Sequence, residues 1–168
     1  TILNDKDIKH VIISMTWYRD NYTNISGELF TADELAGAII DTISQLKKSG
    51  KSVSVMSPIA IPNFPIASEL PRKFKFNHLS LLDIKEKTYI DRKIFDSKFN
   101  NINNEFKRYL GNNYIEVFDD LCDSNHCYFA KDEVMYFADS DHLSQYSLKS
   151  LYKTQDQIKR ILNNLPIK

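Results

Sequence analysis

The chain has 168 residues and a mass of 19.6 kDa, enough for one ordinary domain and too little for two full-sized ones. Its 22 Lys and Arg balance 22 Asp and Glu, so it lacks the basic excess expected of a nucleic-acid-binding protein. Hydrophobic residues at 42% and aromatics at 12% support a core and exclude wholesale disorder. No apolar run nears the roughly 18 residues that span a bilayer, and residues 1–10 are too polar for a secretory leader. Only two cysteines occur, Cys122 and Cys127. A pair this close suits either a short disulfide loop or part of a metal site, and composition does not choose between them.

In chain order, the apolar run from His10 to Trp17 predicts a strand buried on both faces, as in a parallel sheet. Thr31 and Glu34 then have capping-box spacing. Leu35, Ala38, Ile39, Ile43 and Leu46 recur at helical intervals, and Gly50 suits a left-handed closing residue. Residues 51–56 predict a second strand, completing a β-α-β unit that calls for a parallel sheet. Pro58, Pro62, Pro65 and Pro71 mark residues 57–73 as a long loop. Helical spacing fills residues 79–110, whose aromatics from Tyr89 to Tyr109 read as core. Residues 114–118 predict a strand, residues 127–138 a hairpin about Lys131-Asp132-Glu133, and residues from Ser144 onward the last helix, with Leu148, Leu151, Tyr152 and Ile158 on its apolar side. With no repeat or linker, residues 1–168 read as one α/β domain.

The segment that carries chemistry lies between Leu121 and Ser144. Asp139 precedes His142 by three residues, after a strand and before a helix. That spacing lets a carboxylate reach the imidazole Nδ1–H, fix the tautomer and leave Nε2 as the base for a nucleophile. Asp139 and His142 thus read as the orienting acid and the base of a serine-type site. The structural alternative is a solvated helix start capped by Ser144 or Asp141.

This stretch resembles the C-terminal part of the SGNH hydrolase-like domains fused to membrane acyltransferases of the acyltransferase-3 type. The matching residues are Leu121-Cys122-Asp123, Cys127, Tyr136-Phe137-Ala138-Asp139 and Asp141-His142-Leu143-Ser144. The strand ending in Trp17 is similar to an internal strand of that family in which Trp follows Arg; here Thr16 takes the Arg position. The resemblance implies a flavodoxin-like three-layer α/β/α sandwich with a mostly parallel sheet, lacking its first strand in this chain. It further implies a periplasmic domain of an inner-membrane protein, acting without a cofactor. The implied reaction is O-acylation, usually acetylation, of a surface glycan such as lipopolysaccharide or an exopolysaccharide. A membrane acyltransferase domain would deliver the acyl group, and His142 would deprotonate first a serine and then the sugar hydroxyl. Trp17, at a strand's C-terminal end, reads equally as a glycan contact and as packing. Zinc held by Cys122, His126 and Cys127 with Asp123 is the alternative to a Cys122–Cys127 disulfide. Adjacent His126 and Cys127 suit one metal poorly, so the disulfide is expected and no metal.

The family's nucleophile sits in a Gly-Asp-Ser-His block. None of the four glycines here (Gly27, Gly37, Gly50, Gly111) is followed by Asp-Ser. Ser14 is the one serine expected in a comparable buried strand, but its surroundings match a later strand of the family. The preferred reading is a portion of a longer acyltransferase whose serine lies outside this chain. The alternatives are a carbohydrate esterase of the same fold and a non-catalytic glycan-binding or scaffold domain. His10 and His78 have no companion acids and are expected at the surface.

Overall fold

The computed structural model of the protein describes residues 1–15, 17, 22–23, 26–62, 64–75, 88–132 and 134–165. Helix α1 (Ala32–Lys48) forms between two strong local signals. Thr31 Oγ1 accepts from Glu34 N at 3.3 Å while Glu34 Oε2 accepts from Thr31 N at 2.8 Å, the reciprocal capping box its sequence predicts. At the other end Gly50 takes a φ of +82°. Lys51 N then reaches Leu46 O and Gly50 N reaches Lys47 O, both at 3.0 Å. This paired closure needs a left-handed residue, which glycine supplies without a Cβ clash.

The turn delivers the chain into β2 (Ser52–Met56), which pairs in parallel with β1 (His10–Ile13) from His10↔Ser52 to Ile13↔Val55. β4 (Tyr114–Ile115) adds in parallel to the other side of β2, giving the order β1-β2-β4. The fold is therefore α/β with a parallel sheet, as expected. Burial follows the order of the strands. Val53, Ser54 and Val55 of the central strand are wholly buried, whereas Ile12 of β1 is 37% exposed. Burial on both faces, expected for the first strand, belongs to β2, because β1 has a partner on one side only among the described strands. β1 also ends at Ile13, which leaves Ser14 exposed rather than buried in mid-strand. His10 departs from its expected surface position: both ring nitrogens are buried without a partner, and burial lowers its pKa. His78 lies outside the described residues.

The chain packs as two compact units, Thr1–Pro58 with Phe99–Glu116 and Asp156–Lys168, and Ile59–Lys98 with Val117–Gln155. The first holds the parallel sheet, α1, and a core that includes Ile43, Val53, Val55, Phe106 and Ile115. Phe106 lies 5.3 Å from the Trp17 ring and 6.1 Å from Tyr114. The Tyr114 hydroxyl donates to Asn103 Oδ1 at 2.5 Å, and burial pushes its pKa far up.

The second unit holds α2 (Ile66–Lys75), β3 (Tyr89–Asp91), α4 (Phe118–Leu121), β5 (His126–Tyr128), β6 (Ala130–Lys131) and β7 (Val134–Met135). Three of these correct the sequence reading. Helix α2 occupies the second half of the expected loop. Pro65, immediately before it, accepts from Ser68 N and Glu69 N at 3.2 and 2.9 Å, and Ile66 and Leu70 are buried one turn apart. Burial of that stripe outweighs the bond missing at Pro71. Tyr89–Asp91 is a strand rather than helix, paired antiparallel with His126–Tyr128. The strand expected over residues 114–118 stops at Ile115, and α4 follows.

Helix α3 (Arg92–Leu110) begins in the second unit and ends in the first, as does α5 (Tyr152–Asn163). Phe95, Phe99, Ile102 and Phe106 of α3 are buried, the core stripe its spacing predicts, while Tyr109 is exposed. The last helix starts later than expected, since Gln145–Ser150 forms a 3-10 turn first. Leu148 and Tyr152 are accordingly exposed rather than buried. Asp120 closes the start of α5, its carboxylate accepting from Lys153 N at 3.2 Å and Thr154 N at 2.8 Å.

Candidate functional site

The site is a loop held at the end of the predicted hairpin. β6 and β7 pair antiparallel around Asp132, which takes a φ of +49°. Past β7 the chain stays tied to its neighbours: Tyr136 N donates to Phe129 O at 2.9 Å, and Ser144 N donates to Tyr136 O at 2.8 Å. Phe137, wholly buried, bridges to Leu143, and Ala138 N donates to His142 O at 2.8 Å. Only residues 139–141 remain to make the turn, so its geometry is dictated by one side chain. Asp139 Oδ1 accepts from His142 N at 2.7 Å and from Asp141 N at 3.0 Å.

The other carboxylate oxygen faces the imidazole. Asp139 Oδ2 stands 2.9 Å from His142 Nδ1, and Asp141 Oδ1 stands 3.3 Å from the same nitrogen. A carboxylate on Nδ1 favours the tautomer with its proton there, which makes Nε2 the acceptor. The two backbone N–H groups of Asp141 and His142, followed by the imidazole, hold Asp139 far below the usual carboxylate range. It therefore stays ionised at any pH at which a histidine base works. The His142 side chain is 74% exposed, so an incoming hydroxyl can approach it. Sequence reasoning found Asp139 and His142 because both fall within four residues. It missed Asp141 as a second carboxylate on the ring, although an acid next to the histidine was there to be read.

Ser144 caps the 3-10 turn rather than the last helix, accepting from Ser147 N at 3.2 Å while its hydroxyl donates to Met135 O at 2.6 Å. Among the described residues, Asp139, Asp141 and His142 have ligand atoms within 4.8 Å of one another, close enough to share a cation. Exposed acidic groups commonly sit so without one.

Cys122 and Cys127 form the expected disulfide, with S–S 2.08 Å. Both sulfurs are spent in it, so the zinc alternative falls. Between them, Asp123 repeats the Asp139 turn: its Oδ1 accepts from Asn125 N and His126 N, both at 2.8 Å. Its Oδ2 takes the Tyr128 hydroxyl at 2.6 Å, not a histidine.

Trp17 belongs to the first unit and is 8% exposed, with its indole N–H donating to Met56 O at 3.2 Å. These are the contacts of a packed side chain.

A family model described as "SGNH domain (fused to AT3 domains)" matches residues 1–153. The chain belongs to this SGNH family. Neither curated proteins nor solved structures gave a match. Membership makes the chain a hydrolase-like domain of the type associated with acyltransferase-3 proteins, in keeping with its parallel α/β sheet. Among the described residues, no helix is long and apolar enough to cross a membrane.

Proposed function

We propose that the chain is the portion of an O-acyltransferase that completes transfer of an acyl group to a hydroxyl of a cell-surface polysaccharide, on the periplasmic side of the inner membrane. The observation that carries this reading is the 2.9 Å contact between Asp139 Oδ2 and His142 Nδ1, on a turn that the same aspartate shapes through two backbone N–H groups. Membership in a family fused to acyltransferase-3 domains supports acyl transfer as the reaction.

The Asp139–His142 contact supports the following steps. His142 Nε2 takes the proton of a serine hydroxyl supplied from outside residues 1–168 as that oxygen attacks the acyl carbonyl. The donor's leaving group departs with the proton, and an acyl-serine ester remains. His142 then takes the proton of a sugar hydroxyl, which attacks the ester. The serine oxygen leaves and recovers the proton from the imidazolium, which Asp139 stabilises throughout. Hydrolysis by the same base is a second reading. It is favoured by the exposure of His142, since water reaches the site as easily as a sugar does.

The test is the ester content of surface polysaccharide in cells carrying the full-length protein. His142→Asn is expected to cut base-labile acyl groups by at least about a hundredfold, within the usual range for losing a general base. Unchanged ester content would overturn the reading. Release of free acid at the wild-type transfer rate, with no ester gained by the glycan, would favour hydrolysis.

A further inference from the structure

Beside the Asp139–His142 turn lies a cavity of about 600 Å³, lined by Val134, Met135, Phe137 and Ala138 on one side and by Ala67 of α2 on another, with residues 144–146 completing it. All belong to the second unit, as do Asp139 and His142. We propose that this cavity seats the hydrocarbon chain of an acyl group considerably longer than acetyl. The inference rests on the acyl-transfer reading above and names the acyl class.

Three observations carry it. The first is the chemistry of the wall. Several of its polar groups are already paired: Ser144 Oγ donates to Met135 O, Ser144 N to Tyr136 O and Ala138 N to His142 O. What these walls offer a guest is mainly Val, Met, Phe and Ala side chains, with Gln145 and Tyr146 as the other polar members. A sugar ring entering there would lose water from its hydroxyls and find few partners, whereas a hydrocarbon chain loses nothing.

The second observation is continuity with the base. Ala138 immediately precedes Asp139, Ser144 follows His142 by two residues, and the Phe137–Leu143 bridge joins the two sides. The cavity wall and the dyad are thus one hydrogen-bonded loop, and each residue spans at most about 3.6 Å. A chain held against Ala138 and Ser144 has its carbonyl end within a few residues' reach of the imidazole. The third observation is size. A water-sized group takes about 30 Å³, so an acetyl methyl would leave most of the space unfilled, while a chain on the order of ten carbons would fill about half of it. Met135, unbranched and adaptable, suits a wall that must fit a flexible chain.

The experiment is a binding titration of the chain with neutral methyl esters of increasing length, from methyl acetate through butyrate and hexanoate to octanoate. It is read by methyl NMR shifts of Ala67, Val134 and Ala138 and needs no turnover. Affinity is expected to rise at least tenfold from acetate to octanoate. Ala67→Trp, on α2 and away from the dyad, is expected to abolish the octanoate shifts. Ala67→Val, which fills less space, is expected to weaken them severalfold. Circular dichroism confirms that both variants are folded. Equal binding of all the esters, or length-dependent binding that survives Ala67→Trp, would overturn the proposal. Failure of the acyl-transfer reading has a different signature: octanoate still shifts the cavity methyls, and His142→Asn leaves polysaccharide esters untouched.

Discussion

Asp123-Ser124-Asn125-His126 and Asp139-Ser140-Asp141-His142 are the same turn built twice. In each, the aspartate Oδ1 accepts from the backbone N–H groups two and three residues ahead, between 2.7 and 3.0 Å. In each, two chain segments bridge across the base, Cys122 with Cys127 and Phe137 with Leu143. They part at Oδ2. In the first turn that oxygen accepts from Tyr128, and His126 turns away to pack on Tyr89, ring centroids 4.2 Å apart. In the second it meets His142. Asp-x-x-His is therefore a turn before it is a dyad, and the partner of one oxygen atom decides which it becomes.

The largest expected effect that tests this difference is on turnover. In the full-length protein, His142→Asn should lower acyl transfer by about 10²- to 10⁴-fold, while His126→Asn should change it less than about twofold. Equal losses, measured as initial rates of ester formation on the glycan, would erase the distinction. Asp139→Asn comes next: it keeps a side-chain oxygen for the turn but removes the charge that stabilises the imidazolium. Transfer should fall about a hundredfold or more with the loop still folded. Asp123→Asn should leave transfer close to wild type and lower the thermal midpoint by a few degrees.

The crosslink is a smaller and purely structural difference. Replacing both cysteines by serine should cost about 2 kcal/mol in urea denaturation, the chain-entropy value for so short a loop, with little change in rate. A comparable loss of transfer would tie the first turn to catalysis. The smallest effects are those of pH on stability. Asp123 and Asp139 both titrate well below the usual carboxylate range when folded. Their contribution is present above about pH 4, where the unfolded carboxylates are ionised, and is lost as pH falls through the lower folded values. Denaturation midpoints should drop on acidification, less steeply in either Asp→Asn variant. At the alkaline end the order inverts. Asp123 pushes the Tyr128 hydroxyl up to about 12, so its contribution is complete below about pH 10 and lost as pH rises through 12. Tyr128→Phe should remove that alkaline loss, while the Asp139 turn has no counterpart.

What could be read in the sequence was what neighbours in sequence decide. Helix α1 was legible to the residue at its start because Thr31, Glu34 and Gly50 act locally. The Asp139–His142 contact was legible for the same reason, and so was the short crosslink. The second copy of the turn was just as visible, but Tyr128, which settles its role, lies outside the four-residue pattern. Strand β3 was missed because three residues carry little periodicity and its partner lies more than thirty residues on. Helix α2 was missed because proline punctuation outweighed the Ile66 and Leu70 stripe, whose burial is a tertiary fact. The apolar cavity was beyond reading, since Ala67 and Val134 meet only once the chain has folded.

The crosslink also bears on how the chain reaches its folded state. Cys122 and Cys127 are five residues apart and are the only two cysteines in the sequence. Within residues 1–168 one intramolecular pairing exists, so oxidation of this segment by itself has no wrong isomer to undo. Closing so short a loop requires little prior order elsewhere. Once this bond has formed, the β5 side of the β3–β5 pair can be fixed before its partner strand is in place.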